Sequence, residues 1–541
     1  MLKKILQGDY TACANYYQFK LPLELDAVIP DDDSVRLLSA FVEGMDLSSL
    51  YDTYGKIRKN QASPCQLLKI VLYANMNRIY SSRDIEKACL RDINFMYLLE
   101  GMPPPDHSTI SRFHSLHLSQ CSEEVLKEQV GILLDLGEIS AETVFIDGTK
   151  IEAYANRYTF VWKKAVTKNM RKRFDRITSF VAECEEMYGL KIVYNQEISI
   201  RTLKRLRKKL YAIKKEENIT FVHGTGKRKT PLQRSIEQLE EHLDKLKEYT
   251  HKLHICGERN SYSKTDPDAT FMRMKEDHML NGQLKPAYNV QHAVDSEYVT
   301  WVNVSAHPTD TLTLIPLLKD MERVLGFKYQ EVVADAGYEG EENYVFLDQN
   351  GQKSYIKPNN YEISKRRKYK NDIGRKENML YDAVRDCYIC HNGKEITSQK
   401  LIKEKTRSGY IRNTTIYRCD SCKGCPYKGR CIKGNNCQTP MEERSKTIYV
   451  SKTMEHYRKE NLERFTSDRG TQLRVNRSIQ AEGSFGNIKE DMGFRQYKFR
   501  GKQNVLMQSI LIAMAQNMNK LHAKIQSGRT GTHLFELKNT A

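Results

Sequence analysis

Long apolar runs are missing from this chain. No stretch approaches the roughly 20 consecutive apolar residues that cross a bilayer, and the opening MLKKILQGDYTACANYY lacks the hydrophobic segment of a secretory signal. The expected setting is soluble and intracellular, with no membrane partner. Acid is also in short supply: 68 Asp and Glu stand against 86 Lys and Arg, for a net charge of +18. That excess disfavours a neutral small-molecule substrate and favours a polyanion, nucleic acid first. A phosphate loop is missing too, because Gly224-Thr225-Gly226-Lys227 has neither the spacing nor the following Ser or Thr. Thirteen cysteines would be unusual as disulfides in a reducing cytosol, yet seven of them crowd between Cys387 and Cys437. Crowding of that kind points to metal ligation; the other six are read as small buried hydrophobes.

At 541 residues the chain has room for several cores. Residues 1–135 read as helices joined by polar turns, an all-α DNA-binding domain. Ser63-Pro64 starts a helix whose apolar stripe is Leu67, Ile70, Val71 and Ala74. Ser81 to Asp84 precede a helix with Ile85, Ala88 and Cys89 inward. After MPPPDHSTISRF, Asp106 or Ser108 caps a helix with Ile110 and Phe113 inward, leaving His107, Thr109, Ser111, Arg112 and His114 exposed. Short helices ending in polar, Arg-bearing faces suit a helix-turn-helix, with Arg112 a candidate DNA contact. A helical packing domain is the plain alternative.

Thr143–Asp147 reads as the first strand of an α/β layer. Pro286–Val294 and Tyr298–Ser305 form a hairpin about Asp295-Ser296. His307 to Asp310 cap a helix with Leu312, Ile315, Leu318, Met321 and Leu325 inward, a strand ends at Asp335, and Ser354–Ile356 is a fifth strand. The result is a mixed sheet with flanking helices, assembled from residues 140–155, 280–358 and 470–525, with 526–541 as a tail. Two insertions interrupt it. In 156–279, Leu232, Ile236, Leu239, Leu243 and Leu246 mark a helical hairpin. Its partner segment carries Lys172 and Arg173 among seven cations against Asp175, and Arg201 to Lys215 holds eight cations and no acid. Such imbalance suits a phosphate-tracking face, although charge runs are usually only solvated surface. In 359–469, Cys387-x2-Cys390 and Cys419-x2-Cys422-x2-Cys425-x5-Cys431 form a small cysteine-rich metal-binding insertion. Structural Zn²⁺ is favoured; an iron-sulfur cluster stays open, since the CxxCxxC run precedes Pro426.

Two short β-branched strands end on Asp147 and Asp335, and a buried strand-end Asp is costly unless a cation meets it. A third acid, Glu482, lies on the basic helix within RVNRSIQAEGSFGNIKEDMGFRQYKFRG. At 3.6 residues per turn, Ile479, Glu482, Phe485, Gly486 and Lys489 share a face. Three carboxylates suit two Mg²⁺ (or Mn²⁺) ions, Asp147 being shared, in a site for displacement at phosphorus. Lys489 would hold a phosphate near the scissile bond, and Arg477, Arg495 and Arg500 would fix the flanking backbone.

These stretches resemble a known family. IDGTKIEAYANRY, VVADAGYEGEENY and AEGSFGNIKEDMGFRQYKFRG are similar to the three catalytic blocks of bacterial insertion-sequence DDE transposases. YSSRDIEKACLRDINFMYLLEGMPPPDHSTISRF resembles their N-terminal DNA-binding domain, and DCYICHNGK with CDSCKGCPYKGRC resembles the cysteine-bearing insert of one group. The resemblance implies a ribonuclease-H-like core, catalytic metals on Asp147, Asp335 and Glu482, and DNA contact by Lys489. It also implies a homodimer acting on double-stranded DNA, both terminal inverted repeats and target, in a cytoplasmic, nucleoid-associated protein. One departure stands out: relatives with a Tyr-Arg-Glu-Lys signature place the Arg four residues before the Glu, where this chain has Ser478, with Arg477 one position earlier. Neither Tyr338 nor Tyr344 can be assigned the Tyr of that signature. The rival readings are a non-catalytic DNA-binding protein derived from a transposase and a ribonuclease-H-like nuclease without strand transfer.

Overall fold

A computed structural model describes residues 28–194, 198–224, 226–274, 282–420, 422–434 and 437–536. The opening segment, Thr225, Met279 at the end of the first insertion and residues 537–541 of the tail lie outside the described residues.

The N-terminal helices begin where capping chemistry dictates. In α1 (Ser34–Glu43) Asp33 accepts from Val35 N. At α2 (Pro64–Met76) Ser63 Oγ accepts from Gln66 N while Gln66 Oε1 accepts from Ser63 N, a reciprocal box with Pro in the first turn. α3 (Ser82–Arg91) and α4 (Ile93–Leu99) follow, then α5 (His107–Arg112), capped by Asp106 through Thr109 N at 2.6 Å. α5 runs through a π-helical turn, Phe113–Leu118, into α6 (Ser119–Asp135). That turn overturns one expectation. His114 is buried, its Nδ1 donating to Ile110 O at 2.8 Å, because a wider turn rotates the exposed face of α5 away from it.

β1 (Thr143–Glu152) continues five residues past Asp147. β2 (Phe160–Trp162) then leads out to α7 (Lys163–Tyr188), α8 (Ile200–Glu216) and α9 (Pro231–Cys256), and β3 (Ser261–Ser263) pairs with β2 on the way back. The expected hairpin is a three-helix unit with its own apolar cluster. Leu203, Leu206 and Leu210 of α8 pack beside Leu239 and Leu243, a 3,4 spacing that the surrounding cations obscured.

Next come β4 (Thr270–Arg273), β5 (Leu284–Asp295) and β6 (Tyr298–Ser305). Ser296 and Glu297 both take left-handed φ, 56° and 73°, the two-residue turn whose twist suits a hairpin. α10 (Leu314–Leu325) starts later than expected. The carboxylate of Asp310 accepts from Asn289 and Gln291 instead of capping, and a 3-10 turn, Asp310–Leu312, comes between. β7 (Glu331–Ala334), α11 (Glu341–Gln349) and β8 (Lys353–Ile356) complete the layer. The sheet order is β6-β5-β1-β7-β8, with β4 also along β5; β1, β7 and β8 are parallel, and β5 runs against β1. This is a mixed α/β arrangement, a sheet of mixed strand direction with many helices.

A second, antiparallel sheet of five strands follows: β9 (Leu380–Asp382), β10 (Cys387–Ile389), β11 (Glu395–Lys405), β12 (Ile411–Arg418) and β13 (Thr447–Val450). α12 (Lys452–Thr466), α13 (Asp468–Arg477) and α14 (Lys502–Gln526) end the chain's regular structure. α14 is buried on nearly all sides, between β6 and α2 and α6. Fully buried Ile510, Leu511 and Met514 each contribute about 1.5–3 kcal/mol of apolar burial. Asn517 on the same helix caps the sheet edge, accepting from Val299 N and donating to Val299 O. Sheet and N-terminal helices thus share one apolar core.

Candidate active site

β1 and β7 run parallel with Ile146 beside Ala334, so the next residues, Asp147 and Asp335, emerge from neighbouring strands about 5 Å apart. Each uses one oxygen on a nearby amide: Asp147 Oδ1 accepts from Gly148 N at 2.8 Å and Asp335 Oδ1 from Gly337 N at 2.7 Å. Asp147 lies directly across from His292 of β5, and cross-strand partners share a face. His292 stacks on Phe485 at 4.3 Å and bonds Ser484 at 3.2 Å. Burial pushes its pKa down to about 3, so the ring is neutral. The helical segment bearing Glu482 is thereby pinned over the face that carries Asp147.

That segment is not a regular helix. Ser478–Glu482 and Asn487–Asp491 are π-helical turns flanking Gly483–Gly486. Wide turns split the face expected from 3.6 periodicity: Phe485 is buried on His292, whereas Ile479 and Glu482 are exposed. They also bring residues five apart together. Arg477 Nη2 reaches Glu482 Oε1 at 2.5 Å, and Ser478 Oγ donates to Oε2 at 2.9 Å.

A fourth acid joins the group. Asp310 Oδ1 accepts from Asn289 at 2.7 Å and Gln291 at 3.2 Å. A Cβ on Gly337 would lie 3.0 Å from Asp335 Oδ1 and 3.1 Å from Asp310 Oδ2, so these carboxylates face one another across that glycine. Beneath them, buried Tyr338 donates to Gln291 Oε1. Its phenol is held well above the usual range by burial and then by the charges of Asp310, Asp147 and Asp335, opposed by Arg477. One hydroxyl therefore senses three acids and the arginine at once. Gly148 makes room for this network, since a Cβ there would lie 2.5 Å from Gln291 Nε2. Sequence reading missed Asp310 by treating it as a helix cap; its place between a strand and a helix was the available signal.

Residues 389–522 match a family described as Transposase DDE domain, and residues 23–116 match one described as Transposase domain (DUF772). Together the two matches support an insertion-sequence DDE transposase. Neither a curated protein nor a solved structure matches it. The first match takes in Glu482 and five of the six candidate ligand cysteines; the second takes in Arg112.

The remaining candidate residues of this transposase are dispersed. Arg495 pairs with Glu490 at 2.6 Å. Arg500 lies over the Tyr154 ring at 4.9 Å and donates to Tyr154 O. Lys489 is half-buried and engaged. Arg112 is exposed, donating to Ser108 at 3.2 Å. Lys172 is exposed on α7, but Arg173 turns inward to Glu241 at 3.1 Å.

In the second insertion of the transposase, Cys390, Cys419, Cys422, Cys425 and Cys431 line a closed cavity of about 20 Å³. Burial pushes the Cys431 thiol up, as do neighbouring Cys390, Cys422 and Cys425, while Lys446 lowers it. Cys387 is set apart. It sits within β10, facing Asp382 and Thr397 across the ladder, and a strand residue three positions from Cys390 points to the other face. No group of three or more His, Cys, Asp or Glu among the described residues is drawn tightly enough to hold a metal as placed. The donor chemistry nonetheless fits: paired carboxylates suit hard divalent ions, and free thiols around a closed cavity suit zinc. No helix among the described residues is long and apolar enough to cross a membrane.

Proposed function

We propose that this transposase cuts phosphodiesters at the ends of its element and joins the freed 3′-hydroxyl to target DNA. Asp147, Asp335 and Glu482 are the catalytic carboxylates. The observation that carries this reading is the placing of Asp147, within β1, beside Asp335, just past the end of neighbouring β7, under the helical segment of Glu482. Two divalent ions, Mg²⁺ or Mn²⁺, would supply activation of the attacking oxygen and stabilisation of the leaving one. The chain supplies the rest. Gly148 N and Gly337 N fix the rotamers of the two aspartates. Arg477 holds Glu482 aside until a DNA phosphate takes the guanidinium, which frees the carboxylate to turn toward Asp147 and Asp335.

Lys489, Arg495 and Arg500 position the DNA end, with Arg112 on the N-terminal helices and Lys172 on α7 as further backbone contacts. The terminal inverted repeats are the bound ends, and a homodimer holds a pair of them. The thiols of Cys390, Cys422, Cys425 and Cys431 hold a structural zinc, with Cys419 in the cavity wall.

The test is cleavage of a labelled duplex carrying an element end, with Mg²⁺ or Mn²⁺, by wild type and Glu482→Gln. Nicking by wild type alone, followed by joining to a second duplex, is the expected result. End binding without metal-dependent cutting by either protein overturns it.

A further inference from the structure

A broad cavity lies far from the acids in sequence, in the three-helix unit. It measures about 930 Å³ and lies between α7, the loop before α9 and α9 itself. Six cations line it: Arg173, Arg176, Lys227, Arg228, Lys229 and Arg234. Its three acids are Glu183, Glu237 and Glu241, of which Glu237 is paired with Lys229 at 2.6 Å and Glu241 with Arg173 at 3.1 Å. Arg176, Lys227 and Arg228 have no ion-pair partner among the described residues and are exposed.

At the cavity wall stands His242, only 3 % exposed. Arg173 Nη1 lies 3.2 Å from its Nδ1. A guanidinium only donates, so Nδ1 accepts and the ring proton sits on Nε2. Nε2 is buried with no hydrogen-bond partner. That burial keeps the Nε2–H out of the cavity, so the cations alone meet whatever enters it.

We infer that this cavity is a phosphodiester-binding groove that grips the DNA backbone away from the active site, with Arg176, Lys227 and Arg228 neutralising the phosphates. The inference rests on the DNA-transacting reading above. The cavity is wider than one inorganic phosphate needs, and its cations come from three chain segments, which suits a run of backbone over a single free anion. The unit carries its own apolar core and so can present the groove rigidly.

The test compares binding of a labelled duplex across a NaCl series by the full-length wild type, by Arg176→Gln with Arg228→Gln, and by Lys204→Gln with Lys208→Gln. The last pair removes the same charge from the exposed face of α8. The groove pair is expected to flatten the slope of log K against log[salt] by roughly 1 to 2, about one for each phosphate no longer neutralised, and the α8 pair by less than half as much. Equal slopes for the two charge pairs, or a groove pair indistinguishable from wild type, overturn the groove while leaving DNA binding intact. Displacement of duplex by inorganic phosphate beyond the effect of NaCl at equal ionic strength reassigns the site to free anions and also overturns it. A wild type that binds no duplex at any salt sinks the DNA reading itself, a result distinct from both.

Discussion

Arg477 and Glu482 meet at 2.5 Å across five residues of a π-helical turn. In a regular helix residues five apart diverge, and Ser478 would be the residue stacked beneath Glu482. The wide turn lets both Ser478 and Arg477 reach the carboxylate. An arginine one position out of the expected register therefore still meets the glutamate.

This pair has a consequence for metal dependence. Arg477 competes with a cation for Glu482, so Arg477→Gln should lower the Mn²⁺ concentration that half-saturates cleavage by roughly severalfold. It should also weaken DNA-end affinity. Metal titration of nicking separates the two effects; an unchanged half-saturation point would show that the pair does not hold the carboxylate.

Asp310 gives a second prediction. Asp310→Asn keeps an oxygen for Asn289 and Gln291, so the fold should melt as wild type. Cleavage should fall by about 10- to 100-fold, the usual cost of disturbing a group that orients a metal site. Asp147→Asn and Asp335→Asn should abolish it. Single-turnover nicking with a parallel melting curve checks this, and full activity in Asp310→Asn would make the acid purely structural.

Acid should destabilise the protein in a defined window. His292 and His114 are buried neutral, with burial pushing their pKa values to about 3 and about 4. Unfolded histidine takes up its proton near pH 6.5, so stability is complete above that and is lost as pH falls toward the folded values. At pH 5 each contributes a loss of about 2 kcal/mol. Melting from pH 7 to 4.5 should show the fall, and His292→Asn should flatten it.

The cysteines make a site-specific prediction. Cys390→Ser or Cys431→Ser should abolish bound zinc and loosen residues 380–450, with the main sheet unaffected. Cys387→Ser should retain the zinc, costing only packing in β10. Zinc stoichiometry and hydrogen exchange report both outcomes, and metal lost equally in all three variants would return Cys387 to the ligand set.

Gly470 tests the junction between α12 and α13. A Cβ there would lie 2.2 Å from Arg464 O and 2.6 Å from Phe465 O. Gly470→Ala should destabilise by about 1–3 kcal/mol, read as a lower melting temperature, because backbone on both sides must move.

The sheet was legible because its strands are β-branched or alternating runs and its hairpin turn is short. The hairpin was read by alternation and β1 and β7 as β-branched runs, and all of these, with β8, overlap the observed strands. Asp147 and Asp335 were legible for the same reason, as acids ending β-branched runs. What escaped was what leaves no periodic trace. A π turn inserts one residue without altering which residues are apolar, so the shared face of Phe485 with Ile479 and Glu482 and the exposure of His114 were both misjudged. α8 escaped because its leucines are outnumbered by cations. Cys387-x2-Cys390 escaped because the motif presumes a turn, and here its first cysteine lies in a strand. Very short strands such as β2, β3 and β4 carry too few residues for a period to register.

Phe160 and Ser263 are cross-strand partners at the foot of the three-helix unit. Everything between them enters and leaves through a doorway about 5 Å wide. A detour of this kind adds little strain to its host, and lengthening it costs the host only a slowly growing loop entropy. The helical unit is in that sense a cassette: it can diverge, and its DNA grip with it, without moving Asp147 from its place on β1.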